Sequence, residues 1–316
     1  MVMKKLGAFF KLVRWPNLII TALMMCLVYH NLVGMDSTIG FTLLVISMVL
    51  IQAGGYVIND IFDLEIDKIN KPEKLIVGKL FTERQCNIFY WTLTIIGLGC
   101  ALASTLMMLG NKFITIFSCI VLLACILYSY SNRYKKSLVI GNLIVSLSVA
   151  FAVFVPWFFV MMYLAKEGML LENYEVVMHI SLRLVLIYTA FAFMMTLIRE
   201  IVKDMEDVKG DGRSHCRTIP VVWGMNTAQI IVIALSFITC LGISIIEEKL
   251  CKDFGFTITS YMLIASGFLL FGVVMVNNAY GLITDKRARN EKQFHIQSIV
   301  LKISMLIGVL SMFFIK

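Results

Sequence analysis

Six aspartates give this chain its chemistry. In the segment GGYVINDIFDLEIDKINKPEKLIVGK, residues 54–79, Asp60, Asp63 and Asp67 stand three and then four positions apart. On a helix those spacings fall within an arc of about 60°, so the three share one face. Three carboxylates on one stripe repel each other unless a cation sits among them. Oxygen-only ligands suit Mg²⁺ or Ca²⁺ better than softer metals, and Mg²⁺ in particular takes one or two carboxylates together with phosphate oxygens. Taken alone, the stripe could equally be a solvated helix end. The same spacing recurs in REIVKDMEDVKGD, residues 199–211, where Asp204 lies 144 positions after Asp60 and is followed by Asp207 and Asp211. Two acidic stripes facing one cavity, with basic loops around it, predict a site for a diphosphate bridged by Mg²⁺.

The elements that must carry these aspartates are membrane spans. Of the 316 residues 59% are hydrophobic and 15% charged, with a mean hydropathy of +0.87; a soluble domain carries about 25% charged residues. Windows of about 20 apolar residues mark helices that can cross a bilayer. Nine are expected, near residues 17–35, 39–58, 87–109, 113–130, 138–163, 180–199, 220–245, 257–280 and 295–314. The fold class is therefore all-α, a polytopic membrane protein. Pro156 predicts a kink or tilt in the long fifth helix. The first apolar run is a full-length span without a small-residue cleavage site, so no cleavable signal peptide is expected. The first aspartate motif follows the second span and the second follows the sixth.

Positive charge alternates between the two sides. The loops that share a side with the N-terminus hold 21 of the 28 Lys and Arg, among them Lys4, Lys5, Lys11 and Arg14 ahead of the first span. Lys68, Lys71, Lys74, Lys79 and Arg84 follow the second span, and Lys286, Arg287, Arg289 and Lys292 precede the ninth. By the positive-inside rule the N-terminus and both aspartate motifs are cytoplasmic, while the C-terminus with Lys316 lies outside. The net charge of +8 is then mostly topology and calls for no nucleic-acid partner. The eight cysteines and four histidines show no spacing suited to zinc and read as buried hydrophobes and scattered polar residues; only His215 falls in a motif loop.

Around both motifs the sequence resembles the UbiA-type intramembrane prenyltransferases. NDIFDLEID (residues 59–67) matches that family's first aspartate motif, NDxxDxxxD, and KDMEDVKGD (203–211) its second. RWPN at 14–17, INKPEKLIVGK after the first motif and RTIPVVWG after the second also stand where relatives carry similar segments. The resemblance covers almost the whole chain. It implies a single membrane domain over 1–316, built as two four-helix halves plus one helix around a lipid-open chamber. The pseudo-repeats would run over about 10–135 and 138–285, in keeping with the 144-residue spacing of the motifs.

The resemblance also implies the reaction. An allylic prenyl diphosphate ionises at its C1–O bond, and an acceptor nucleophile attacks the carbocation inside an apolar chamber that excludes water. Asp60, Asp63 and Asp67 would hold one Mg²⁺, and Asp204, Asp207 and Asp211 the other. Asn59 begins the first motif and Asn17 enters the first helix; for each, substrate binding and an interhelical hydrogen bond remain open. Lys203 and Lys135 are candidates for the diphosphate, with Tyr130 five residues before Lys135 where the family carries a Tyr–Lys pair four apart. The expected partners are a prenyl diphosphate, a membrane-associated acceptor and the bilayer of the cell membrane, with no obligatory protein partner evident. A transporter would bury ionisable groups near the midplane, whereas the spans here hold only Arg183 and Lys302. A scaffold descended from the family would be expected to lose aspartates, and all six are present. LIREIVKDMEDVKGD and CRTIPVVWG look most like the members that act on geranylgeranylglyceryl phosphate, ahead of the 4-hydroxybenzoate polyprenyltransferases.

Overall fold

The structure is a computed structural model that describes residues 2–33, 35, 38–70, 72–168, 175–214, 216–255, 257–284 and 291–315. The readings made above for Lys71, His215, Lys286, Arg287, Arg289 and Lys316 lie outside the described residues. Thirteen α-helices follow one another: α1 (Val2–Leu12), α2 (Trp15–Leu27), α3 (Ile39–Phe62), α4 (Leu64–Asn70), α5 (Glu83–Leu109), α6 (Phe113–Asn132) and α7 (Ile140–Lys166), then α8 (Glu175–Arg213), α9 (Ile219–Val222), α10 (Met225–Phe254), α11 (Thr257–Leu269), α12 (Val276–Thr284) and α13 (Glu291–Ser311). Single π-helical turns extend α2 over Val28–Leu32 and join α11 to α12 over Leu270–Met275. Among the described residues the only extended pairing is an isolated bridge between Val77 and Phe81.

Among the described residues seven helical runs are long and apolar enough to cross a membrane, or eight if α1 and α2, bent by 54°, form one span. This is an integral membrane protein. The sequence predicts nine spans; the lower count arises because Glu83–Asn132 is one helical run of 50 residues and because the first predicted span falls in the bent pair α1–α2. That run contains α5 and α6, separated by a 3₁₀ turn at Gly110–Lys112, and the two helices pack against each other.

The chain forms two compact units, Met1–Lys135 with Phe154–Leu182, and Lys136–Val153 with Arg183–Lys316. In the first unit, α3 and α5 make the most extensive helix pairing. Lipid is as apolar as leucine, so close packing and small residues must join such helices. Gly54 meets Thr94, and a Cβ at Gly97 would stand 2.9 Å from Ile51 and 3.2 Å from the Ser47 carbonyl. Ser104 adds a 2.6 Å hydrogen bond to the Gly40 carbonyl. α5 starts with a capping box in which Thr82 and Gln85 satisfy each other's backbone N–H. Below these helices α1 and the 75–81 loop close a second cluster, where Ala8 and Leu12 meet Leu64, Val77, Phe81 and Tyr90.

In the second unit the core runs along α8, α10 and α13 and includes Met195, Ile198, Val202, Ala228, Val232 and Leu301. α8 has 39 residues. At about 1.5 Å per residue it is roughly twice as long as the hydrocarbon core is thick, so it carries its last turns well beyond the bilayer. The sequence places the end of this span near residue 199, but the helix continues to Arg213 and takes the whole second aspartate motif with it.

Candidate active site

The first motif sits where a helix breaks. α3 ends at Phe62, and Asp63 is its C-cap, with φ −84° and ψ −5°. Asp67 belongs to the separate α4, its N–H donating to the Asp63 carbonyl at 2.8 Å. The first triad is therefore divided between two helices, with i→i−4 hydrogen bonds continuing through Asp63. Leu64 and Ile66 are buried just past the break, and Leu64 joins the cluster of Val77 and Phe81.

Two cations meet this break. The Arg14 Nη2 donates to Asp60 Oδ1 at 2.8 Å, and its guanidinium lies 4.8 Å from the centre of the Tyr56 ring. Lys135 Nζ donates to Asp63 Oδ2, and Asn59 Nδ2 reaches the same oxygen at 2.6 Å. Asp63 is 5% exposed, so its charge depends on these donors. Burial disfavours the Lys135 ammonium, but the Asp63 carboxylate outweighs that and holds its pKa above the ordinary lysine range. Tyr130 also acts on Lys135 electrostatically. Asn17 does not reach the aspartates: its Nδ2 donates to Tyr56 Oη at 3.2 Å, and Gln52 Nε2 donates to the same oxygen at 3.0 Å. Asn17 thus holds the tyrosine under Arg14, one turn before Asp60.

The second motif lies on one unbroken helix. Asp204, Asp207 and Asp211 all belong to α8, which runs past the span end expected near residue 199, even though Gly210 and Gly212 fall within and just after the motif. Asp204 Oδ2 accepts from Asn142 Nδ2 of α7 at 2.8 Å. Asp211 is buried and accepts from Thr218 Oγ1 at 3.3 Å, while its carbonyl takes the Cys216 N–H at 2.9 Å. Lys203 donates to Glu200 and also acts electrostatically on Asp204. Glu200, 7% exposed, accepts Lys203 Nζ at 3.1 Å on one oxygen and Arg199 Nη1 at 2.7 Å on the other.

Sequence reasoning missed Arg14, Tyr56, Asn142 and Glu200. Arg14 was absorbed into the positive-inside pattern. Tyr56 and Glu200 stand four residues before Asp60 and Asp204 and share the 144-residue register, which would have flagged both. Asn142 is a polar residue near the start of an apolar span, a signal in its own right.

Among the described residues no three His, Cys, Asp or Glu side chains converge on one point as a metal cage. The donor set nevertheless fits Mg²⁺, which prefers one or two carboxylates and leaves its other positions to phosphate and water. Every motif side chain offers oxygen, and Asp60 and Asp63 lie side by side in contact with cations.

Comparison with known proteins identifies the family. The family model for the UbiA prenyltransferase family matches residues 17–306. Digeranylgeranylglyceryl phosphate synthase from Sulfolobus acidocaldarius is 30% identical over 89% of this chain and 91% of its own. The synthase of the same name from Methanococcus maripaludis is 30% identical over 89% and 88%. A solved structure of a digeranylgeranylglyceryl phosphate synthase superposes with a TM-score of 0.62 at 25% identity, covering 98% of this chain and 97% of that one. A UbiA homologue from Archaeoglobus fulgidus bound to GPP and Mg²⁺ shares the fold, with a TM-score of 0.54 at 14% identity over 96% and 99%. The chain belongs to the UbiA prenyltransferase family, and it is a prenyltransferase.

Proposed function

We propose that this protein transfers a geranylgeranyl-length chain from its diphosphate to the hydroxyl of geranylgeranylglyceryl phosphate, in membrane lipid biosynthesis. The C1–O bond to diphosphate breaks, an ether bond to the glycerol oxygen forms, and the hydroxyl proton is released. The observation that carries this reading is the charge arrangement at the α3–α4 break, where Arg14 and Lys135 lie against Asp60 and Asp63. Fixed positive groups there can take up the leaving diphosphate as its charge develops, without waiting for solvent to reorganise. The names of the relatives that match most of the chain support the acceptor.

Asp60, Asp63 and Asp67 would hold one Mg²⁺, and Asp204, Asp207 and Asp211 a second. When bound, Mg²⁺ offsets the negative charge that builds on the leaving oxygen. Asn59 orients Asp63, Asn142 orients Asp204, and the Asn17–Tyr56 pair supports Arg14. Lys135 contacts the diphosphate, with Tyr130 beside it; Lys203 does so once drawn from Glu200.

In this reading the chain is a single domain of nine spans with pseudo-repeats over about 10–135 and 138–285. The count follows if Glu83–Asn132 is two spans, since 50 helical residues would reach about 75 Å, and if α2 with its π-helical continuation to Leu32 is another. The N-terminus and both motifs are cytoplasmic in the cell membrane. The prenyl diphosphate, the lipid acceptor and the bilayer are the only partners required.

The deciding experiment reconstitutes purified protein in liposomes with Mg²⁺ and labelled geranylgeranyl diphosphate. Geranylgeranylglyceryl phosphate, 4-hydroxybenzoate and dihydroxynaphthoate are offered in parallel, and products are separated by mass. We expect one ether product, from the glycerol acceptor. Prenylation of 4-hydroxybenzoate alone would refute the acceptor while keeping the enzyme class.

A further inference from the structure

We infer that α1 is a foot that rests in the bilayer surface and docks on anionic lipid headgroups. Its 11 residues, at about 1.5 Å each, are too few to span a membrane, and it leans 54° away from the line of α2. One side is already occupied: Ala8 and Leu12 are buried in the first unit, and Phe9 meets Phe89 edge-on at 5.2 Å. Another side is apolar and uncovered. Met3, Leu6 and Phe10 are 87%, 56% and 47% exposed, and helix geometry gathers them into a sector of about 60°. A stripe of this kind on a soluble surface would invite aggregation. Here it runs on into Trp15 and Ile19, which are 48% and 54% exposed on α2, the helix that follows.

That continuity names the occupant: the apolar side meets the same lipid that surrounds α2. Lys4 and Lys11, seven positions apart, are both exposed and project from a third side. An amphipathic helix with a lipid-facing stripe and flanking lysines lies at the headgroup boundary. Its affinity rises with the share of anionic lipid. The positive-inside pattern accounts for the sign of these charges but not for the stripe beside them.

The inference does not depend on the reaction, and its test needs no turnover. Full-length protein carrying L6C or F10C, in a background where the native cysteines are replaced, is labelled with an environment-sensitive fluorophore. It is then reconstituted in vesicles of phosphatidylcholine alone or with one quarter phosphatidylglycerol. We expect quenching by lipid-attached spin labels and at least twofold less quenching by aqueous iodide in the anionic vesicles. K4Q/K11Q should remove the difference between the two lipids. Should replacing the cysteines impair folding, hydrogen exchange of the unmodified protein in nanodiscs of the same two compositions reads the same property, as greater protection of residues 3–12 in the anionic lipid. Equal iodide access, or equal exchange, in both lipids would overturn the proposal, as would a lipid difference that survives K4Q/K11Q.

Discussion

The two aspartate motifs have the same spacing and different surroundings. In the first unit the helix stops at Phe62, and positive side chains contact the aspartates directly, Arg14 on Asp60 and Lys135 on Asp63. In the second the helix runs through all three aspartates. A neutral amide from Asn142 meets Asp204, and the nearby cations Arg199 and Lys203 are bound to Glu200. Asp60 and Asp63 are thus met by ion pairs, and Asp204 and Asp211 by hydrogen bonds from neutral side chains. Two copies of one motif need not divide the work evenly: the first unit already holds positive charge beside its carboxylates, while the second keeps its cations one turn away on a separate anion. If both motifs are essential as oxygen donors, this difference should vanish for the aspartates and appear in their partners.

The largest expected effect tests that first clause. Asp60→Asn and Asp204→Asn should each lower turnover at least about 100-fold, the several kcal/mol typical of losing one group that stabilises transition-state charge. Turnover is measured in liposomes, and circular dichroism and gel filtration check that the variants fold. Near-normal rates in both would refute metal binding at the motifs. A large loss in one alone would mean that the two units differ in kind and not only in degree.

The next effect separates the partners. Lys135→Met removes the charge from a buried carboxylate that keeps only Asn59, and should cost about tenfold or more in turnover, roughly 1.4 kcal/mol or above. Asn142→Ala removes a neutral donor, and about threefold is expected. The sign of the pH dependence also follows. Because the pKa of Lys135 is raised, the stability from its pair with Asp63 is fully present below the ordinary lysine pKa of about 10.4. It is lost only as pH climbs through the raised value. The gap between wild type and Lys135→Met should therefore stay constant from about pH 7 to 9. A gap that closes in that range would show that Lys135 is neutral there.

Why one motif breaks and the other does not was not legible in the sequence. Local propensity favours the wrong one, since the second motif carries Gly210 and Gly212 and stays helical, while DIFDLEID has no glycine and breaks. The break coincides with Leu64 joining the cluster around Val77 and Phe81, contacts between segments that no window reads. The spans were legible because apolar length is a one-dimensional signal. Helices α3, α5, α6, α7 and α13 begin and end within a few residues of the predicted bounds. The aspartates were legible because carboxylates are rare at such helix ends and their spacing repeats. Their partners were hidden for opposite reasons. Arg14 looked like one more topogenic charge, and Lys203 looked available because Glu200, three residues earlier, was not weighed as its partner.

The smallest effect bears on that last pair. Tyr56 and Glu200 occupy the same register, four residues before Asp60 and Asp204, yet one is a neutral ring under Arg14 and the other a buried anion between Arg199 and Lys203. Glu200→Gln keeps the shape and removes one negative charge about one helical turn from Asp204. Releasing a cation within about 8 Å of an anionic substrate at an effective dielectric of 40 to 80 is worth roughly 0.5–1 kcal/mol. The KM for geranylgeranyl diphosphate should accordingly fall about two- to fivefold with kcat nearly unchanged. Tyr56→Phe, which loses only the hydrogen bonds from Asn17 and Gln52, should leave KM within about twofold and lower thermal stability slightly. If KM rises in Glu200→Gln, then Glu200 aims Lys203 at the diphosphate and does not hold it back. The second unit would then present its cation through a carboxylate, where the first presents Lys135 directly.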